Sequence, residues 1–183
     1  ISSYIDKIGS LAFNGCKNLK WVEFASVSAL CHITFHSQES NPLYYFHHIY
    51  VNGNNKEITE IDVPEDIEDI SSYAFINCEA ITKVTISSSV RHIGKGAFQG
   101  CNNIYTVDYP SSDALTSISY ADSYSSPMRN ATIVTAQGID QSAITINRNV
   151  ESNIFYGAKW LERVVLTDGV RTIGSSAFRE CSN

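Results

Sequence analysis

Nine residues with one spelling recur four times: IGSLAFNGC (Ile8 to Cys16), ISSYAFINC (Ile70 to Cys78), IGKGAFQGC (Ile93 to Cys101) and IGSSAFREC (Ile173 to Cys181). Ile, Ala-Phe and Cys keep relative positions 0, 4, 5 and 8, and an aliphatic residue follows three places after the Cys at Leu19, Ile81 and Ile104. An apolar face this short cannot be buried by one unit alone. It has to stack on copies of itself, which is the condition for a solenoid. Phe98 follows Phe75 at a step of twenty-three, and Phe178 follows Phe155 at the same step, with Ala158 standing where the Cys would be. This is the short period.

A longer period lies over it. Phe98 stands eighty-five positions beyond Phe13, and at that offset LCHITFHSQESNPL (Leu30 to Leu43) aligns without a gap to LTSISYADSYSSPM (Leu115 to Met128). Gly53 and Gly138 keep the same offset, whereas the steps from Phe75 to Phe155 and from Phe98 to Phe178 are eighty, so the second copy lacks five. The chain therefore reads as a single solenoid domain over 1–183 in two long cycles, about 1–85 and 86–183. Its stop at Asn183, just after a repeat Cys, reads as a fragment of a longer chain.

Within a unit, Phe13, Cys16 and Leu19 fall at i, i+3 and i+6 with Ala12 beside them, the pattern of one face of a short helix or helical turn. The period then changes to two, with Val22 and Phe24 apolar around Glu23, as in a half-exposed strand. The same switch follows Ile81, Ile104 and Leu161. Gly9, Gly94 and Gly174 come directly after the unit's Ile, where a tight bend favours a residue without Cβ, although Ser71 shows that glycine is not obligatory. The step from Phe13 to Phe75 exceeds a whole number of short periods and implies an insertion of about 16. HHIYVNGNNKEITEIDVP (47–64) reads as two alternating runs around a Gly/Asn turn, a hairpin on the solenoid edge. Residues 129–149 are its shorter, more polar counterpart, or a plain loop.

The pattern I-G-x-x-A-F-x-x-C-x-x-L-x-x-V-x-I, with an interposed N-P-L-Y-Y … Y-V-N-G … I-T-E-I-x-V-P stretch, resembles the BspA-type leucine-rich repeats of bacterial and protozoan surface proteins. The likeness is strong over 4–24, 41–109 and 160–181. It departs at 110–153, where VTAQGID replaces the expected YVNG. The fold expected is an α/β leucine-rich-repeat solenoid of short parallel strands and short helical turns, right-handed by the rule for parallel connections. The resemblance implies a cell-surface or secreted module that recognises host, matrix or cell-surface partners.

The residues themselves carry no sign of catalysis. There is no G-x-S-x-G, H-E-x-x-H, P-loop or dinucleotide fingerprint, so no enzyme and no cofactor is expected. Thirteen basic against 19 acidic residues, net charge −6 and no Lys/Arg run argue against nucleic acid and anionic membranes as partners. No stretch reaches the roughly 20 apolar residues of a membrane-spanning helix. Five cysteines do not suggest a disulfide framework. Cys16, Cys78, Cys101 and Cys181 read as small core fillers, with a Cys78–Cys101 bridge as the sharper alternative. No C-x2-C spacing offers a zinc site. His32 and His36 read as two positions of one strand, about 13 Å apart, too far to share a metal, and His47-His48 point to opposite faces. Glu65-Asp66 and Glu68-Asp69 read as solvated turn carboxylates. Asn130-Ala131-Thr132 is a glycosylation sequon.

What remains is surface. Trp21 and Glu23, Lys83 and Thr85, Thr106 and Asp108, and Arg163 and Val165 alternate with core positions, so stacked strands would set them in two columns on one open face. Trp21 and Val165 favour binding there. Tyr44, Tyr45, Phe46 and Tyr50 form an aromatic cluster that either seals the insertion or serves as an adhesive patch for protein or glycan. A passive stalk and a targeting appendage to a catalytic domain elsewhere are the competing readings.

Overall fold

The computed structural model describes residues 1–53, 55–140 and 142–182. The alternating segments after each unit become parallel strands, as their period of two requires. Strand β2 (Val22–Phe24) pairs with β4 (Ile49–Val51); β5 (Glu60–Asp62), β7 (Lys83–Thr85), β9 (Thr106–Ser111) and β11 (Ile133–Gln137) form a four-stranded sheet; β12 (Ala143–Ile146) pairs with β13 (Arg163–Leu166). A second series has only two residues per strand: β1 (Lys7–Ile8) with β3 (Thr34–Phe35), and β6 (Asp69–Ile70), β8 (His92–Ile93) and β10 (Ser119–Tyr120) in one sheet. Every ladder between these strands is parallel. The inward residues Ile61, Val84, Val107 and Val134 of the first series and Ile70, Ile93 and Tyr120 of the second are buried in one continuous core.

The I-x-x-x-A-F-x-x-C segments are not helical. Each is a run of turns closed by i→i+3 bonds, such as Ala74 N–H to Ser71 O, Ile76 N–H to Tyr73 O and Cys78 N–H to Phe75 O. Left-handed residues stand at the third and seventh places after the unit's first residue: Leu11 and Gly15, Tyr73 and Asn77, Gly96 and Gly100, Asn153 and Gly157, Ser176 and Glu180. A left-handed residue breaks helical propagation every fourth position. The i, i+3, i+6 spacing of Phe, Cys and the aliphatic residue is therefore that of successive turns, which brings side chains to one face as a helix would.

The true helices obey the long period instead. Helix α1 (Val27–His32) and helix α3 (Ser112–Ser117) stand one long period apart, as do β3 and β10. Each helix is capped by a serine hydroxyl, Ser26 to Ala29 N–H and Ser111 to Ala114 N–H, both at 3.0 Å. A third, α2 (Leu43–Phe46), follows Asn41-Pro42. Buried Asn41 is fully used: its amide donates to Tyr73 O (2.8 Å) and Ala74 O (3.1 Å), and its oxygen accepts from Leu43 N–H (2.9 Å). One buried side chain thus ties this turn to the coil that begins at Ile70.

The hairpin expected at 47–64 is reduced to one antiparallel bridge, Tyr50 with Glu57. Its two runs, β4 and β5, leave in opposite directions into parallel ladders, because each can bury its apolar side chains only against a neighbouring coil. Residues 129–149 are likewise no plain loop: β11 extends the main sheet and β12 begins the next. His32 closes α1 rather than lying in a strand, and β3 separates it from His36.

Two coil–coil joints repeat atom for atom. Gly94 N–H donates to Ile70 O and Gly174 N–H to Val150 O, both at 2.8 Å. In return Tyr73, Phe75 and Asn77 donate to the carbonyls of Lys95, Ala97 and Gln99, and Asn153, Phe155 and Gly157 to those of Ser175, Ala177 and Arg179. Phe75 stacks on Phe98 (5.2 Å between centroids) and Phe155 on Phe178 (5.3 Å). The need for glycine is steric. A Cβ on Gly94 would stand 2.5 Å from Ser72 N, and one on Gly174 would stand 2.4 Å from Ser152 N. Gly9, with no described coil before it, has nothing within 4 Å. Ser71 is tolerated because its N–H meets Cys31 O of α1 and not a copy of the turn.

Candidate recognition surface

The outward residues of the four-stranded sheet stand in rungs. One column runs Glu60, Lys83, Thr106, Ile133, and the other Asp62, Thr85, Asp108, Thr135. Of the eight strand candidates, Lys83, Thr85, Thr106 and Asp108 are thus brought together. The other four are not: Glu23 pairs with Tyr50 on the β2–β4 sheet beside Trp21, and Arg163 and Val165 pair with Ala143 and Thr145 on the β12–β13 sheet. The expected continuous columns are cut into three sheets.

Glu60, Asp62, Ile133 and Thr135 complete the central face and were missed, and Tyr50, read as part of the aromatic cluster, lies instead beside Trp21. The signal was present: ITEIDV (58–63) repeats as ITKVTI (81–86) at the short period, so Glu60 and Asp62 anticipate Lys83 and Thr85. Reading 47–64 as a hairpin hid it.

The face has its own electrostatics. Lys83 Nζ reaches Asp108 Oδ2 at 2.9 Å, diagonally across one rung, and the Thr135 hydroxyl donates to Asp108 Oδ1. The hydrogen bond that Lys83 donates to Asp108, and that carboxylate's charge, hold the Lys83 ammonium above the usual lysine range. Burial works to raise the Asp108 carboxyl, but the Thr135 hydroxyl and the Lys83 ammonium outweigh it and leave it below the usual aspartate range. With Lys83 so engaged, exposed Glu60 and Asp62 leave the β5 side of the face acidic.

Trp21 is 51% exposed, and its ring lies 6.2 Å from Tyr50. The aromatic cluster is therefore divided. Tyr50 joins Trp21 on the strand side, while Tyr44 and Tyr45, edge to face at 5.1 Å, sit on α2 with Phe46. Tyr45 and Phe46 wall a cleft of about 360 Å³ with Phe13, Cys16 and Leu19. A cleft of about 170 Å³ stands at the corresponding place in the second cycle, where Phe98, Cys101, Ile104 and Asn130 line it, each one long period on from Phe13, Cys16, Leu19 and Tyr45. The long repeat thus makes the same cleft twice, aromatic in the first cycle and amide-rich in the second. There Arg129 lies over the Tyr124 ring at 4.3 Å and the Tyr156 ring at 5.0 Å.

The remaining polar candidates have structural partners. His47 contacts Glu79 (3.1 Å) and His48 contacts Glu57 (2.8 Å). Glu65 accepts from the Ser88 hydroxyl at 2.8 Å and is held below the usual glutamate range by it. Cys78 and Cys101 are buried free thiols, and burial pushes Cys78 well up. Cys101 donates to Phe75 O (2.9 Å), as Cys181 does to Phe155 O (3.0 Å), so the thiol links coils as well as filling space. Cys16, the first of the series, is exposed and is no core filler. Asn130 is exposed at the end of a 3-10 turn, Pro127–Asn130. Among the described residues, no group of three or more His, Cys, Asp or Glu is placed to hold a metal, and no helix is long and apolar enough to cross a membrane.

Comparison with known proteins agrees with this architecture. The chain is similar in structure to a leucine-rich repeat protein from Eubacterium ventriosum ATCC 27560, at 16% identity and a TM-score of 0.53, over 96% of this chain and 56% of that one. A leucine rich cell surface protein from Faecalibacterium prausnitzii A2-165 aligns at 18% identity and a TM-score of 0.45, over 97% and 56%. The chain thus spans little more than half the length of these structures. No curated protein matches it. The family model for the BspA type leucine rich repeat region matches in six copies, over residues 1–43, 49–147 and 148–183. With turn unit, strand ladder and family model agreeing along almost its whole length, the chain belongs to the BspA-type leucine-rich repeat family.

Proposed function

We propose that this chain is a non-enzymatic protein-recognition module that works at a cell surface or outside the cell and binds host, matrix or cell-surface proteins through its strand face. The observation that carries the reading is the four-stranded parallel sheet whose outward residues form two registered columns, Glu60–Lys83–Thr106–Ile133 and Asp62–Thr85–Asp108–Thr135. Parallel pairing repeats one side chain at each rung about 4.8 Å apart, so a partner meets a regular array and not a pocket. Membership of a leucine-rich-repeat family supports an interaction role. The acidic β5 side favours a partner with basic groups, and the exposed Trp21–Tyr50 pair supplies an aromatic anchor of the kind that dominates binding energy.

The test is saturable binding of the purified chain to a panel of extracellular-matrix and serum proteins. Glu60→Arg with Asp62→Arg should weaken capture of a panel member at least tenfold and alter its salt dependence. Trp21→Ala should weaken it through a slower-forming or shorter-lived complex, without altering the fold. No binding to any member, or binding indifferent to both changes, would favour a passive stalk or a targeting appendage.

A further inference from the structure

Among the described residues the outer edge of β11 is open where its counterpart in the first cycle is covered, and we propose that an extended segment of a partner protein adds there as an antiparallel strand. The counterpart is β4: Ile49, Tyr50 and Val51 stand one long period before Val134, Thr135 and Ala136, and β4 lies on β2 as β11 lies on β9. Alternation fixes which backbone groups face outward. Asn52 N–H donates to Phe24 O, so Tyr50 faces β2 and the Ile49 carbonyl points away from it. On β11, Ile133 N–H donates to Tyr105 O, so Thr135 faces β9, and the Val134 carbonyl and Ala136 N–H point away.

In the first cycle the chain covers its own edge. The segment after the Gly53 turn comes back antiparallel, Glu57 bridges Tyr50, and Ile58 N–H donates to Ile49 O at 3.1 Å. The second copy is shorter in the stretch after Gly138, and no antiparallel bridge joins its described residues to β11. Ala143 N–H, which follows that turn, donates to Asp140 O at 2.7 Å, and the Val134 carbonyl accepts no hydrogen bond among the described residues. Instead of a covering strand there is a cleft of about 440 Å³ along β11, walled by Ile133, Val134, Ala136 and Ile139. Ile133 is 41% exposed at its mouth.

The covered edge also describes the occupant. It is an extended stretch, antiparallel to β11, that offers one backbone N–H to the Val134 carbonyl and carries a β-branched apolar side chain at the place of Ile58. Main-chain bonds supply the affinity and the cleft supplies the side-chain preference, as in other strand additions. The interior of a helix cannot make this contact, because its N–H groups are already used. The edge borders the outward face of the same sheet, so one partner could reach both surfaces, but the two contacts use different atoms and are separable.

The test uses the covering segment itself as probe, the peptide Asn-Lys-Glu-Ile-Thr-Glu of residues 55–60 with blocked ends, titrated into the intact chain while backbone amide shifts are followed by NMR. Saturable shifts confined to 132–139 are expected. The same peptide methylated on its isoleucine nitrogen should bind at least tenfold more weakly, since the donor to Val134 O is gone. Ala136→Pro should have the same effect with an unchanged melting curve, because proline is accepted at an edge position whose N–H faces away from the ladder. Shifts elsewhere, no saturation, or equal binding of the methylated peptide would overturn the proposal. A dimer of the chain that Ala136→Pro abolishes would overturn it too, by showing that a second copy covers the edge. Glu60→Arg with Asp62→Arg leaves this edge untouched, so loss of either reading is distinguishable from loss of the other.

Discussion

Three glycines show how one residue type answers to different forces. At Gly94 the constraint is contact: a Cβ would meet the backbone of the preceding coil at 2.5 Å, so Gly94→Ala should lose about 2 kcal/mol or more in urea denaturation. At Gly15 the constraint is conformation alone, with φ of 74° and open space around it, so Gly15→Ala should cost about 1 kcal/mol. Gly9 meets neither constraint among the described residues, and Gly9→Ala in this chain should be neutral or stabilise by about 0.4–1 kcal/mol, because alanine restricts the unfolded chain more than glycine does. The phenylalanines divide by position in the same way. Phe75 is fully buried, so Phe75→Ala should cost about 3–5 kcal/mol, while Phe13→Ala, at a half-buried site, should cost well under half of that. Chemical denaturation of the five variants side by side checks both orderings.

At the scale of the element, the turn unit and the strand rely on different physics. The turn unit is held by coil-to-coil backbone bonds and two left-handed positions, and the residue choice at the second of them, Gly or Asn in four of five copies, follows from backbone strain. The strand rung depends on side chains. Asp108 ionises more easily in the folded chain than in the unfolded one, so the stability it contributes is complete above the ordinary aspartate pKa and is lost as pH falls through its depressed folded value. Lys83 is shifted up, so its contribution is complete below the ordinary lysine pKa and is lost as pH rises through the raised one. The pair should therefore favour folding across the whole neutral range. Asp108→Asn should be destabilising at pH 7 and close to neutral near pH 2, which paired thermal melts at the two pH values would show.

Over the whole molecule, stability is a sum of joints between neighbours, as in other solenoids. Units around 70–110 have coils on both sides, while the first and last described units have one. Hydrogen exchange should accordingly be slowest in β7, β8 and β9 and fastest in residues 1–20 and 166–182, with protection falling in steps of a coil and not continuously. The same logic explains which parts of the fold were legible. The short period named the core residues Phe75, Cys78, Ile81 and Val84 because each copy buries the same face. The long period placed α1 and α3, β3 and β10 in register, although nothing in it said which of the matched stretches was helical. The hairpin was misread because Ile61 and Val63 have a strand's period whichever neighbour they choose, and that choice is made by the coil at Lys83–Thr85, outside the segment.

The sequence by itself determined that this chain is a solenoid, where its units begin, and which side chains fill the core, since periodic apolar positions can be buried in only one way when copies stack. Tertiary structure alone decided which outward residues share a face. Strand partners are chosen across coils, so the grouping of Lys83 with Asp108, Thr135 and Glu60, the separation of Trp21 and Arg163 from them, and the open edge of β11 all depend on contacts between different coils, which local pattern does not encode.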